Sequence, residues 1–114
     1  MSTVTEPSVQ EQEQAAKSEV LQDMHRNILS YYFEFKMPIR YGYLVRRFTT
    51  RLRQCDLTSR QAVETLQDEG LTKIILTPTN REYIFPKSEI GELEEEDLLA
   101  EAISADEVLR VKRK

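Results

Sequence analysis

The fold of this chain is decided by residues 57–86, which read LTSRQAVETLQDEGLTKIILTPTNREYIFP. Thr58 stands where a helix N-cap belongs, and Gln61, three residues later, completes a capping box. Gly70 stands where a residue of left-handed backbone conformation ends a helix. The apolar residues between these two ends recur at helical spacing, and they are Ala62, Val63 and Leu66. The segment therefore predicts a short helix with a defined start and a defined end.

A β-hairpin is predicted directly after this helix. Two runs rich in β-branched and aromatic residues, Thr72–Thr77 and Glu82–Phe85, are separated by the turn-forming sequence Pro78-Thr79-Asn80-Arg81. The capped helix and the hairpin together are the most informative feature of the sequence.

A first helix is predicted from Ser18 up to the residues that precede Pro38. Ser18 is the expected N-cap, Glu19 lies favourably in the first turn, and a residue before proline is pushed out of the α region. One apolar stripe follows the helix and consists of Val20, Leu21, Met24, Ile28, Leu29, Tyr32 and Phe35. Tyr31 and Phe33 widen this stripe, so a second apolar contact is expected there. The partner in this second contact is either the C-terminal helix of the same chain or a second copy of the chain in a homodimer.

A short strand, Ile39–Arg40, is expected to pair with the hairpin, and a second helix is expected over Tyr41–Gln54. The apolar face of this helix consists of Tyr41, Leu44, Val45, Phe48 and Leu52. Cys55 continues that face and is interpreted as a small hydrophobic residue at the edge of the core. The alternative role, a redox-sensing thiol, needs a depressed pKa, which the neighbouring arginines would favour.

Three segments of different composition divide the chain. Residues 1–17 are polar and are predicted to be a disordered tail, because they bury too little apolar surface to offset their ordering entropy. Residues 18–86 form the predicted folded domain. Residues 87–114 predict a C-terminal helix that is acidic at Glu92–Asp97 and basic at its end, and this helix is a candidate dimerisation element. Its apolar stripe consists of Leu98, Leu99, Ala102, Ile103, Val108 and Leu109.

The charge of the chain is distributed unevenly. The formal net charge is −4 over 114 residues. The N-terminal segment carries one basic and three acidic residues, residues 18–86 carry ten and eight, and the C-terminal segment carries five and nine. A mildly basic domain between acidic ends is compatible with a nucleic-acid partner but does not require one.

Catalysis is not predicted, because the chain lacks the residue sets that reactions need. Cys55 is the only cysteine, His25 is the only histidine, and the three glycines form no phosphate-binding loop. We therefore predict a protein that is not an enzyme and has no cofactor, metal or small-molecule ligand. One cysteine fits a reducing compartment, and no apolar run approaches the roughly 18 residues of a membrane span. An intracellular, cytoplasmic protein without membrane contact is expected.

The segment Asp56–Leu71, DLTSRQAVETLQDEGL, resembles the recognition helix of winged helix-turn-helix transcriptional regulators. In those families a polar cap precedes two small or β-branched core residues, a leucine, and an exit similar to Glu-Gly-Leu that leads into the wing. The resemblance extends over about Ser18–Pro86 and implies a mainly α fold with a small β-hairpin. It also implies that the exposed face of the Ser59–Glu69 helix binds double-stranded DNA, with the hairpin on the phosphate backbone.

The candidate DNA contacts that follow from this resemblance are Ser59, Arg60, Gln61, Thr65, Lys73, Asn80, Arg81, Arg47 and Arg51. Arginine suits bidentate contact with guanine, glutamine suits adenine, and serine and threonine commonly contact phosphate. The alternative interpretation of Arg60 is a solvated surface residue without a DNA contact. The alternative interpretation of Gln61 is a residue that only caps the helix. The arginines of the second helix could instead form ion pairs with the acidic C-terminal segment, and this is the alternative to a DNA contact.

We therefore predict a sequence-specific DNA-binding transcriptional regulator that acts as a winged-helix homodimer. A homodimer is expected because one small domain contacts few base pairs. The candidate residues of a dimer or partner interface are Tyr31, Phe33, Leu98, Leu99 and Ile103. The alternative is a winged-helix protein-interaction module without DNA binding, which the carboxylates Glu64, Asp68 and Glu69 favour because phosphates repel them.

Overall fold

The structure, a computed structural model, describes residues 9–112 and is mainly helical, with one small sheet. The five helices of this range are α1 (Val9–Phe35), α2 (Tyr41–Gln54), α3 (Ser59–Asp68), α4 (Lys87–Ile90) and α5 (Glu95–Lys112). The three strands are β1 (Ile39–Arg40), β2 (Thr72–Leu76) and β3 (Glu82–Pro86). The predicted helix α2, helix α3, short strand and hairpin are all confirmed, whereas the single turn α4 was not predicted.

Local hydrogen bonds define both ends of α3 as its sequence predicts. The Thr58 Oγ1 accepts a hydrogen bond from the Gln61 backbone N–H at 3.1 Å, and the Gln61 Oε1 accepts one from the Thr58 N–H at 3.0 Å. At the other end, Gly70 has a φ of +76°. The Gly70 and Leu71 N–H groups donate to the carbonyl oxygens of Gln67 and Leu66 at 2.9 and 3.0 Å, which closes the helix with a Schellman motif.

Replacement of Gly70 by alanine is expected to lower the free energy of unfolding by about 1 kcal/mol, because an L-residue is strained at this positive φ. Gly42→Ala is the matched control, since Gly42 lies in a helix and an added Cβ meets no atom within 4 Å. This control is expected to be neutral or slightly stabilising. Urea denaturation followed by circular dichroism measures both, and equal effects would contradict the assigned role of Gly70.

The sheet places β3 between β1 and β2, and all its pairs are antiparallel. Ile39 of β1 and Ile74 of β2 both lie opposite Ile84 of β3. The hairpin turns at Asn80, whose φ is +65°, a conformation that asparagine tolerates better than most residues. The register thus joins the start of α2 to the hairpin through a two-residue strand.

The sheet separates two apolar clusters. On one side, residues of α1, α2 and α3 pack against Ile39 and Ile84 to form the larger core. On the other side, α5 covers the hairpin, and the buried residues of this cluster are Ile75, Tyr83, Phe85, Ile90, Leu98, Ala102 and Ala105. The C-terminal helix therefore packs within its own chain, but it leaves Phe33 58% exposed and so does not cover the widened apolar surface of α1 as the first predicted alternative has it. Its main contact is the hairpin, while α1 contributes Tyr32.

Helix α1 begins at Val9, so the prediction that Ser18 caps it is wrong. The predicted disorder of residues 1–17 is likewise wrong for residues 9–17, which are helical. Their glutamine, glutamate and alanine residues are good helix formers, and adding turns to an already packed helix is easier than starting one. Met1–Ser8, the rest of the predicted tail, lies outside the described residues. None of the helices in residues 9–112 has the length and apolar character needed to cross a membrane.

Candidate nucleic-acid interface

Arg60 of α3 is held by the hairpin. Its guanidinium donates two hydrogen bonds of 2.7 Å to the two carboxylate oxygens of Glu82 and lies 4.5 Å from the centre of the Tyr41 ring. The hydrogen bonds to Glu82 raise the pKa of Arg60 and lower the pKa of Glu82. The predicted guanine contact is therefore not available to Arg60 in this arrangement. Its side chain instead joins the starts of α2, α3 and β3.

The two predicted hairpin cations are paired with α5. Lys73 Nζ lies 3.0 Å from Glu95, and the Arg81 guanidinium lies 3.5 Å from Asp106. Asn80, the third predicted hairpin contact, is exposed at the turn. The hairpin thus presents fewer free cations than its sequence suggests, because the C-terminal helix supplies carboxylates to it.

The arginines of α2 differ in their surroundings. Arg51 forms an ion pair of 2.8 Å with Asp23 of α1, while Arg47 is exposed and lies over the Tyr43 ring at 5.6 Å. Arg46 is exposed as well. Among residues 9–112 no ion pair joins α2 to the acidic run, whose Glu95 contacts Lys73 instead. The predicted alternative of pairing with the acidic segment is therefore wrong, because α5 starts beside β2.

The remaining candidate residues of α3 are Ser59, Gln61 and Thr65, and the side chains of Gln61 and Thr65 form hydrogen bonds within the helix. Ser59 and Thr65 are half-buried, and the Thr65 hydroxyl donates to the Gln61 carbonyl oxygen at 2.7 Å. Gln61 is exposed, but its side chain forms part of the capping box. The acidic residues Glu64 and Asp68 are also exposed. The outer face of α3 is therefore more acidic than basic.

Asp106 of α5 is an important polar residue that the sequence analysis did not identify. Its side chain is buried, with 2% exposure, and accepts hydrogen bonds of 2.9 Å from Tyr83 Oη, Thr79 Oγ1 and Arg110. Burial by itself raises the pKa of Asp106, but these three hydrogen bonds outweigh it and hold the pKa below its usual value. Asp106 therefore fastens α5 to the hairpin as a charged carboxylate.

The pKa of Tyr83 depends on the charges around the Asp106 carboxylate. Burial, followed by the hydrogen bond to Asp106, raises the pKa of Tyr83 to about 12, while the positive charges of Arg40 and Arg81 act in the opposite direction. Arg40 lies directly opposite Tyr83 in the β1–β3 register. The positive charges of Arg40 in β1 and of Arg81 in the hairpin turn thus both act on the same buried hydroxyl.

Four arginines lie together at this end of the molecule, and we call them the arginine cluster: Arg40, Arg46, Arg81 and Arg110. Arg81 and Arg110 share Asp106. Arg40 and Arg46 line one cavity of about 240 Å³ together with Leu109, the neighbour of Arg110. Two of these guanidinium groups contact the buried Asp106 carboxylate and the other two line the neighbouring cavity, so four positive charges are set against one negative charge beside the hairpin turn and the start of α2. Of these four, only Arg81 was among the DNA contacts predicted from the sequence, because the members of the cluster come from four separate parts of the chain.

The predicted interface residues differ in how far they are buried within the chain. Leu98 is 2% exposed within its own chain, so its predicted role in a dimer contact is wrong in this arrangement. Leu99 and Ile103 are half-buried. Phe33 is 58% exposed, with Lys36 Nζ at 5.7 Å from its ring centre. Tyr31 packs against Phe35 and Tyr43.

Cys55 is half-buried and packs against the larger core, as expected for a small hydrophobic residue at its edge. Within residues 9–112, no three His, Cys, Asp or Glu side chains are grouped so that they could hold a metal ion.

The chain was compared with models of protein families, with curated proteins and with solved structures, and none of them matches it.

Proposed function

We propose that this protein is a winged-helix protein that binds double-stranded DNA and regulates transcription. The order α1–β1–α2–α3–β2–β3, with β1 paired to a hairpin that follows α3, supports the proposed winged-helix assignment. The observation that carries the functional proposal is the arginine cluster, which lies beside the hairpin turn, where a wing meets the DNA backbone.

The proposed division of contacts differs from that expected from the sequence. The arginine cluster and Arg47 contact phosphates, which supply affinity but little sequence information. The first turn of α3, with Ser59 and Gln61, and the exposed Asn80 at the hairpin turn face the base edges. Arg60 and Glu82 position α3 against the hairpin.

Arg46→Ala is expected to weaken binding to all duplexes alike and to reduce the slope of log Kd against log salt concentration by about 1. Arg26→Ala is the matched control, because Arg26 is an exposed arginine of α1 whose removal changes the net charge equally. Fluorescence anisotropy with labelled duplexes of several sequences measures both variants. Equal slopes for the two variants would show that net charge alone matters and that the arginine cluster is not the site.

The proposed homodimer would place two α3 helices one DNA turn apart. Of the predicted interface residues, Phe33 is the most exposed and is the one most available to a second copy. Sedimentation equilibrium with and without duplex tests this part of the proposal.

A protein-interaction module is the second candidate function. The specific observation in its favour is that Arg60, Lys73 and Arg81 are all paired with carboxylates of the same chain. Absence of duplex binding in the anisotropy titration would favour this candidate.

A further inference from the structure

The cavity beside the arginine cluster has three aromatic side chains in its lining, and we call it the aromatic groove. It lies between the end of α1, the start of α2 and the end of α5. Tyr31 forms its floor, with its ring centre 4.6 Å from that of Phe35 and 5.8 Å from that of Tyr43. Phe35 is 46% exposed and Tyr43 is 50% exposed. Within the part of the chain that the structure describes, a large aromatic surface therefore faces solvent in one place.

The charge at the rim of the groove restricts its occupant. Arg40 and Arg46 line the groove, and Arg47 lies over Tyr43. A second copy of the chain packed symmetrically on this face would place arginines against arginines, which repel each other. The occupant is therefore expected to be negatively charged.

The chemistry of the lining favours nucleic acid over an acidic protein segment. Among the described residues that line the groove, Leu109 is the one with an aliphatic side chain, whereas grooves that hold amphipathic helices offer much more aliphatic surface. Aromatic rings next to guanidinium groups are the combination that binds single strands, because bases stack on the rings while arginines contact the phosphates. Arg40 and Arg46 belong both to the groove and to the arginine cluster, so the two surfaces are continuous.

We propose that the aromatic groove holds an unpaired nucleobase from a strand that leaves the duplex bound at the arginine cluster. This inference rests on the proposed DNA binding and names the ligand class: a duplex with a single-stranded extension. A base in the groove stacks on Tyr43 or Phe35, and its phosphates meet Arg40 and Arg46. Because stacking does not depend on base identity, the groove is expected to accept any base.

Gly42→Leu is the variant that tests the groove. Gly42 lines the groove, and an added Cβ there meets no atom within 4 Å, so the leucine side chain is expected to enter the groove without disturbing α2. The probes are a blunt duplex and the same duplex with an oligothymidine extension at either end, measured by fluorescence anisotropy. The wild-type protein is expected to prefer an extended duplex by about tenfold. Gly42→Leu is expected to abolish this preference and to bind the blunt duplex as the wild type does.

A pair of alanine substitutions provides the control. Tyr43→Ala removes a ring of the groove, and it is expected to lose the preference as well. Leu93→Ala removes an exposed apolar side chain that is not part of the groove lining, and it is expected to keep the preference.

Several outcomes overturn the inference. Equal affinity of the wild type for blunt and extended duplexes overturns it while leaving the proposed duplex binding intact, and so does a preference that survives Gly42→Leu. A third outcome is that the wild type binds free oligothymidine but no duplex, and that Gly42→Leu abolishes this binding. That result supports the groove and overturns the proposed duplex function. Binding of an acidic peptide with no binding of any oligonucleotide overturns both.

Discussion

Replacement of Leu98 by aspartate is expected to lower the free energy of unfolding by at least about 4 kcal/mol. Leu98 is 2% exposed in the cluster that joins α5 to the hairpin, so the substitution removes a buried side chain and places a carboxylate among Tyr83, Phe85 and Ile75. Loss of a buried leucine alone costs about 2–5 kcal/mol, and an unpaired buried charge adds to that cost.

Ala100→Asp is the matched control, because Ala100 is an exposed residue of the same helix turn. Its effect is expected to stay within about 0.5 kcal/mol. Leu98→Ala keeps the test usable if the aspartate variant does not fold, and it is expected to cost about 3 kcal/mol. Urea denaturation followed by circular dichroism measures all three. Similar values for Leu98→Asp and Ala100→Asp would mean that α5 is not packed on the hairpin.

Replacement of Asp106 by alanine is expected to cost about 3 kcal/mol at neutral pH. The substitution leaves the Tyr83 hydroxyl buried without an acceptor and removes the carboxylate that Arg81 and Arg110 share. Glu107→Gln is the control, because this substitution also removes one negative charge but at an exposed neighbouring residue.

The pH dependence of this variant gives an independent check. The pKa of Asp106 is lower in the folded protein than in the unfolded chain. Its contribution to stability is therefore fully present above the unfolded pKa of about 3.9 and is lost as the pH falls through the folded pKa. The difference in stability between wild type and Asp106→Ala is expected to be constant near neutral pH and to shrink in acid. A difference that grows in acid would contradict a charged, hydrogen-bonded Asp106.

The sequence predicts those parts of the fold that depend on local interactions. The ends of α3 were found because Thr58, Gln61 and Gly70 act on backbone groups within a few residues of themselves. Strand β1 was predicted from the resemblance to winged helices, in which a short strand ahead of the second helix pairs with the hairpin, and the structure has it at Ile39–Arg40.

The partners of charged side chains could not be predicted in the same way. Arg60 reads as a free surface residue until the hairpin turn brings Glu82 to it. Asp106 reads as one more acidic residue of an amphipathic helix, because its donors come from the hairpin and from the next turn of α5. The arginine cluster was missed for the same reason, since only tertiary packing brings Arg40, Arg81 and Arg110 together.

These contacts connect the C-terminal helix with the proposed DNA surface. Asp106 holds Thr79 and Arg81, which flank the hairpin turn, and α5 also contributes Arg110 to the arginine cluster. The position of the hairpin turn therefore depends on the packing of α5. We expect substitutions that release α5 to change DNA affinity as well as stability.

The proposal that this protein binds DNA through the arginine cluster is tested most directly by a salt titration of the wild-type protein with a labelled duplex. If the four arginines of the cluster and Arg47 each neutralise one phosphate, the logarithm of the association constant falls against the logarithm of the salt concentration with a slope of about −4 to −5. Binding with such a slope, detected by fluorescence anisotropy between low and near-physiological salt, is the predicted result. Binding no tighter than ~10⁻⁴ M at low salt, or binding that does not change with salt, would contradict the proposal.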